Sequence, residues 1–456
     1  MDALGAAVTT LWSQLTEARS ALALATERIA GLEQQLGELD DRVAAGKAPG
    51  AVTAEAARAA AISLLWLGQA PLQRNPVVSV VMPTFSRARL EMLRGAVDSV
   101  LDQTYRAWEL LVVDNSDDGM LDSLPSWWPA DDRVRILRSA PHRASAARNT
   151  GLDAATGELI AYLDDDCRWF PWWLRAAVAT FEFSPDSVFV HGVRFSGGPA
   201  MSPGLVQAES VTPLKLHVDN FVDTNTLVHR ADTGERWDDG LHACSDYDLM
   251  VRIAHHPHEF VPVPACTYGI GTPGQVWALE NDASNRAERD EVRARARRRR
   301  PLRIVVFDGG EANIAEADLV DELDALRQCG ADVALAGRAS GPAHRTAPSG
   351  VVTYGSLEEA LDAHGPDLVL GYRGSEPPAL RDAIADRGLP YAIRWYPSGD
   401  PDLDPGPLDD RCLGVWTPPD PEHFDDWVVT LTRALADWHD RTDHHANARR
   451  HWWTGR

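Results

Sequence analysis

The chain is poor in lysine. Of 44 basic residues only Lys47 and Lys215 are lysines, and the rest are arginines. Positive charge is also scarce: 44 basic against 67 acidic residues leave a net charge of −23. A surface this acidic repels phosphate backbones and anionic bilayers, which excludes nonspecific nucleic-acid binding. Cysteine is sparse. Cys167, Cys244, Cys266, Cys329 and Cys412 are odd in number and contain no CxxC pair, so neither a disulfide framework nor a zinc site is signalled. Reduced thiols point to the cytoplasm. No basic-then-apolar leader is present, and the longest apolar stretch, near 59–67, is far short of the roughly 20 residues a membrane span needs. A 44% hydrophobic and 24% charged composition is that of globular protein. The alanine, glycine and arginine bias reads as a GC-rich, bacterial genome.

The first 46 residues carry a heptad. Leu4, Val8, Leu11, Leu15, Ala18, Leu22, Ala25, Ile29, Leu32, Leu36, Leu39 and Val43 alternate spacings of four and three. That seam predicts a coiled coil and a homodimer through residues 1–46. The competing arrangement is an amphipathic helix packed on its own domain. A second helix and a linker fill 47–76.

From 77 to 300, runs of β-branched residues alternate with helical stretches, as in a mainly parallel, doubly wound α/β sheet. Ligands of such sheets sit at the carboxyl ends of the strands. Polar clusters fall at those ends: 83–87, 114–118 and 164–166. Arginines at 293, 295, 297, 298, 299 and 300 form a basic helix, expected to pair with local carboxylates. A second α/β alternation, Rossmann-like, occupies 301–440. Its first loop, Phe307-Asp308-Gly309-Gly310, lacks the GxGxxG spacing of dinucleotide sites. Residues 441–456 read as a flexible tail.

The acidic triplet Asp164-Asp165-Asp166 follows an apolar strand. Adjacent carboxylates repel, and a hard divalent cation, Mg²⁺ or Mn²⁺, is one compensation. A solvated acidic turn is the other. The triplet is accompanied, in order, by Val80-Val81-Met82-Pro83-Thr84-Phe85-Ser86-Arg87, by Val112-Val113-Asp114-Asn115-Ser116, by Ala147-Arg148-Asn149-Thr150-Gly151 and by Ser245-Asp246-Tyr247-Asp248. This ordered set, over roughly 77–265, resembles the family 2 glycosyltransferases of the GT-A fold.

The resemblance implies an inverting, metal-dependent transfer from a nucleoside-diphosphate sugar, UDP- or dTDP-linked, to an acceptor. Pro83, Thr84, Phe85 and Arg87 correspond to the donor loop, with Phe85 stacking on the base. Asp114 and Asn115 correspond to base readers, although many members carry two acids there. Arg143 and Arg148 correspond to positions near base or phosphates, with ion pairing the alternative. Asp164 and Asp165 fall on the donor side, Asp166 at the metal and Asp246 at the catalytic base. Ser245 replaces a common glutamate, and Asp248 reads as a helix-cap acid. Trp172 and Trp173 fall toward the acceptor, core packing being the alternative. The acceptor class stays open among glycans, natural products and peptides. The competing functional reading is an inactive GT-A scaffold assembled through its coiled coil.

Overall fold

The computed structural model describes residues 72–140, 143–196, 206–207, 211–268, 283–308, 316–337, 347–372, 383–394, 411–416, 427–436 and 438–439. The heptad seam, the second helix and the tail lie outside these residues. The chain divides into two compact units. The first comprises residues up to 209 together with 222–241 and 256–279; the second comprises 210–221, 242–255 and the chain from 280 onward.

In the first unit, β1 (Val78–Thr84) and β2 (Trp108–Asp114) are buried along their whole length. Their mostly apolar sequences, in which the buried Ser79 Oγ donates to Glu109 Oε1 at 2.6 Å, fit strands covered on both faces. Between them, α1 (Leu90–Leu101) buries Leu93, Ala96, Val97 and Val100, a stripe at spacings of three, one and three. β3 (Val134–Arg138) is followed by α2 (Ala144–Ala154) and β4 (Leu159–Tyr162). Gly151 lets α2 lie close on β1: a Cβ there would come within 2.3 Å of Val81. The remaining elements are β5 (Cys167–Trp169), α3 (Trp173–Phe183), β6 (Phe189–Ser196), β7 (Val206–Gln207), β8 (Leu227–Arg230) and β9 (His258–Tyr268).

These nine strands form one sheet in the order β3-β2-β1-β4-β8-β6-β9-β5, with β7 on β6. The first four are parallel. From β4 onward the sheet is mixed, because β8 runs antiparallel to both β4 and β6. The expected mainly parallel sheet is therefore half right. A parallel neighbour needs a long crossover. β8 instead begins beside the end of β4 and runs back along it. The result is a curled mixed sheet, consistent with a GT-A glycosyltransferase domain. The chain builds β1, β2 and β3 outward and then returns to β4 on the other side of β1. That reversal opens a crevice at the carboxyl ends of β1 and β4.

The second unit contains α4 (Ser245–Ile253), α5 (Ala283–Arg299) and six parallel strands. These are β10 (Arg303–Asp308), β11 (Asp332–Gly337), β12 (Val352–Tyr354), β13 (Leu368–Tyr372), β14 (Tyr391–Arg394) and β15 (Cys412–Trp416). Their order, β12-β11-β10-β13-β14-β15, is that of doubly wound sheets. The basic helix α5 pairs with carboxylates as expected. Arg295 meets Asp248 at 2.9 Å, Arg298 meets Glu291 at 3.1 Å, and Arg300 beyond it meets Asp367 at 2.5 Å.

Candidate active site

Thr84 ends β1 and lies in register with Asp114, which ends β2. The triplet follows β4 directly, with Leu163 N donating to Val81 O. Parallel pairing thus brings Thr84, Asp114, Asn115 and the triplet to one end of the sheet.

Asp165 is 2% exposed. Thr84 Oγ1 donates to its Oδ2 at 2.7 Å, while Arg89 Nε and Nη2 donate to its Oδ1 at 2.8 and 2.5 Å. Arg89 Nη2 also lies 2.8 Å from Asp166 Oδ2. Burial pushes Asp165 up to about 6, outweighing Arg89 and Thr84. Burial opposes the charge on Arg89, yet the two aspartates together outweigh it and raise its guanidinium. Asp164 accepts from Arg148 Nη2 at 2.6 Å, and Asn225 Oδ1 accepts from the Asp164 backbone N–H at 2.6 Å. Arg148 lies over the Trp237 ring, 4.4 Å from its centroid. The ion-pair alternative for Arg148 is therefore realised, and it keeps the arginine beside the triplet.

Asp114 is fully buried and its oxygens are engaged. Ser116 N and Oγ donate to Oδ1 at 2.9 and 2.6 Å, Leu121 N donates to Oδ2 at 3.0 Å, and Arg138 pairs at 2.9 Å. Burial works against this carboxylate, but those bonds outweigh it and hold it below the usual range. The turn they close passes through Gly119 at φ +63°, a left-handed conformation that glycine adopts without strain. Asn115 differs. It is 2% exposed, and its Oδ1 is buried without a hydrogen-bond partner. An unsatisfied buried amide oxygen costs stability, so it suits a ligand donor.

Phe85 is exposed, and its ring lies 5.0 Å from the Arg89 guanidinium carbon. Pro83 is buried within β1. Arg87 pairs with Asp118 at 2.7 Å on the surface, and Arg143 donates through Nη1 to Asp239 O. Trp173 has no exposed surface and packs in the core. Its expected place on the acceptor is thereby corrected to a core position, as the apolar face of α3 requires. Trp172 is half-buried, stacks on Phe170 with 5.0 Å between centroids, and donates to Pro264 O.

In the second unit, Asp246 lies in the first turn of α4 and Asp248 two residues later. Asn220 Nδ2 donates to Asp246 Oδ2 at 2.9 Å. Asp248 is taken by Arg252 and Arg295, each at 2.9 Å.

Among the described residues, no cluster of three or more His, Cys, Asp or Glu side chains forms a metal cage. Both oxygens of Asp165 already accept hydrogen bonds, Oδ2 from Thr84 and Oδ1 twice from Arg89, which favours Asp166 over Asp165 as the metal carboxylate. Asp166, whose Oδ2 lies 2.8 Å from Arg89 Nη2, fits the hard-oxygen chemistry of Mg²⁺ or Mn²⁺ when substrate phosphates complete the shell.

Residues 79–232 match the family described as Glycosyl transferase family 2. The putative colanic acid biosynthesis glycosyl transferase WcaA of Escherichia coli is 34% identical over 193 residues, covering 40% of this chain and 67% of that protein. The chain belongs to glycosyl transferase family 2. The chain is also similar to a glucosyl-dolichyl phosphate glucuronosyltransferase of Haloferax volcanii, 35% identical over 116 residues, covering 25% of this chain and 37% of that protein. A third relative, from Escherichia coli, is UDP-Glc:alpha-D-GlcNAc-diphosphoundecaprenol beta-1,3-glucosyltransferase WfgD. It is 38% identical over 96 residues, 20% of this chain and 36% of that protein. The first curated relatives are matched over 37% to 43% of their own length.

Sequence reasoning missed Arg89 and Asn225. Asn225 is 61 residues from Asp164, and nothing local marks it. Arg89 was within reach: a second arginine in Arg87-Ala88-Arg89-Leu90 opens a helix beside the donor loop.

Proposed function

We propose that this family 2 transferase is inverting and moves a sugar from a UDP- or dTDP-linked donor to an acceptor hydroxyl. The observation that carries the reading is the ordered carboxylate group at the carboxyl ends of β1 and β4, with Thr84 and Arg89 fixing Asp165. Phe85 stacks on the base. Asn115 offers its buried Oδ1 to a ring N–H, a task for which Asp114 has no oxygen to spare. Asp166 would hold Mn²⁺ or Mg²⁺ together with the donor phosphates, and that ion would supply charge neutralisation for the departing diphosphate. Asp246 accepts the acceptor hydroxyl's proton as its oxygen bonds to the anomeric carbon and the carbon–phosphate oxygen bond breaks. Attack opposite the leaving group inverts the centre. The acceptor is a glycan, natural product or peptide. Two relatives whose names specify lipid-linked phosphates favour a glycan on such a carrier.

Thermal-shift measurement with a panel of nucleoside diphosphates, with Mn²⁺ or EDTA, tests the reading. Binding to the native state raises the midpoint by mass action. UDP or dTDP with Mn²⁺ is expected to give the largest rise, and Asp166→Ala is expected to lose it while remaining folded. A full rise in EDTA, or in the variant, removes Asp166 from the metal.

The heptad seam over 1–46 is proposed to join two copies. Light scattering is expected to report a dimer for the full chain and a monomer once 1–46 is deleted. A full chain that is monomeric at micromolar concentration refutes the pairing.

A further inference from the structure

The acidic triplet carries its own cations. Three carboxylates face two guanidiniums, Arg148 on Asp164 and Arg89 across Asp165 and Asp166. Arg89 is no surface counter-ion. Its side chain and that of Asp166 each keep 6% of their surface. Its reach is fixed at three points: Nε and Nη2 on Asp165 Oδ1, and Nη2 on Asp166 Oδ2. The Phe85 ring lies against it. Bulk solvent and salt screen such a buried charge weakly. A divalent ion arriving at Asp166 would therefore meet a fixed positive charge across a single carboxylate. It would also shed water while gaining little net negative charge in return. The donor's diphosphate supplies the missing charge.

We propose that Arg89 is a positioning residue that denies Asp166 to a divalent ion until the donor diphosphate is present, so that metal and nucleotide bind with mutual reinforcement. The proposal rests on the reading of Asp166 as the metal carboxylate of the donor site. Coupling of this kind is reciprocal: whatever the nucleotide adds to metal affinity, the metal adds to nucleotide affinity. It also gives the triplet two states. Without donor, Arg89 neutralises Asp165 and Asp166 together. With donor, Arg89 keeps Asp165 while Asp166 turns to the ion.

Mn²⁺ titrated into the full chain by calorimetry or electron paramagnetic resonance, with no nucleotide, tests it. Arg89→Gln keeps amide donors for Asp165 without the charge, and Arg89→Lys keeps the charge without the fork. Mn²⁺ is expected to bind Arg89→Gln about tenfold more tightly than wild type or better, and Arg89→Lys about as weakly as wild type. A merely structural arginine would have the opposite sign, because loosening the triplet weakens binding. The gain is expected to vanish in Arg89→Gln with Asp166→Asn. Equal or weaker binding by Arg89→Gln overturns the proposal, as does a gain that survives loss of Asp166. A second measurement needs no variant: UDP is expected to tighten Mn²⁺ binding to wild type by about tenfold. If UDP and dTDP both leave it unchanged, the coupling is overturned. If Arg89→Gln still gains affinity in that case, the fault lies in the donor-site reading and not in the electrostatics of Arg89.

Discussion

Replacing Asp246 with Asn is expected to lower turnover by roughly 10²–10⁴-fold at saturating acceptor, the usual cost of losing a general base. The amide keeps the shape and can still meet Asn220, whose Nδ2 lies 2.9 Å from Asp246 Oδ2. It cannot accept the hydroxyl proton. Nucleoside-diphosphate affinity is expected to stay unchanged, which separates lost chemistry from lost donor binding. The position suits a carboxylate that must remain charged: the first turn of α4 presents backbone N–H groups and the positive end of the helix dipole. Asp248 is the control. Both of its oxygens are engaged by arginines, so Asp248→Asn acts on folding stability. Steady-state kinetics with a defined acceptor, or donor hydrolysis where none is known, reads the difference. An Asp246→Asn enzyme keeping more than about a tenth of wild-type turnover lies outside that range and moves the base elsewhere.

Acid is expected to destabilise the first unit through His229. Its ring is buried between the Tyr162 hydroxyl, 2.9 Å from Nε2, and the Arg230 carbonyl, 2.8 Å from Nδ1. Burial pushes this imidazole down to about 4, against the small opposing effect of the Arg230 carbonyl. The unfolded chain takes up the same proton near 6.5. Between those values the unfolded state holds more protons, so stability falls as the pH falls. The contribution is complete above pH 6.5 and, once lost near pH 4, amounts to roughly 3 kcal/mol. His217 in the second unit, also pushed down to about 4 by burial, acts in the same direction. Asp165 opposes both. Its folded value of about 6 exceeds the ordinary 3.8, so acid relieves part of its burial cost. Comparison with a variant therefore isolates His229. Gln at 229 can still meet Tyr162 but does not titrate. Urea unfolding at pH 7.5 and pH 5 is expected to show a smaller acid loss for His229→Gln than for wild type. Equal losses would mean that His229 takes its proton in the folded state as readily as in the unfolded chain.

Much of the donor side was legible in the sequence because it is local. Apolar runs give β1, β2 and β4, and polar residues directly after them fall at strand ends whichever way the sheet is assembled. Thr84, Asp114, Asn115 and the triplet could be named for that reason. The basic helix was legible too, since Glu291 sits on the same helix as the arginines it pairs with. The direction of β8 was not, because antiparallel return depends on where a strand starts in space. With it went Asn225, which is set against Asp164 only because β8 begins where β4 ends. Trp173 could not be divided from Trp172 by residue type, and the packing of α3 against the sheet decided it. The same holds for the charges. Sequence supplies three adjacent aspartates and many arginines that could meet them. Tertiary structure chose Arg89 and Arg148 as their partners, because buried carboxylates hold whichever cations the fold brings within hydrogen-bonding distance.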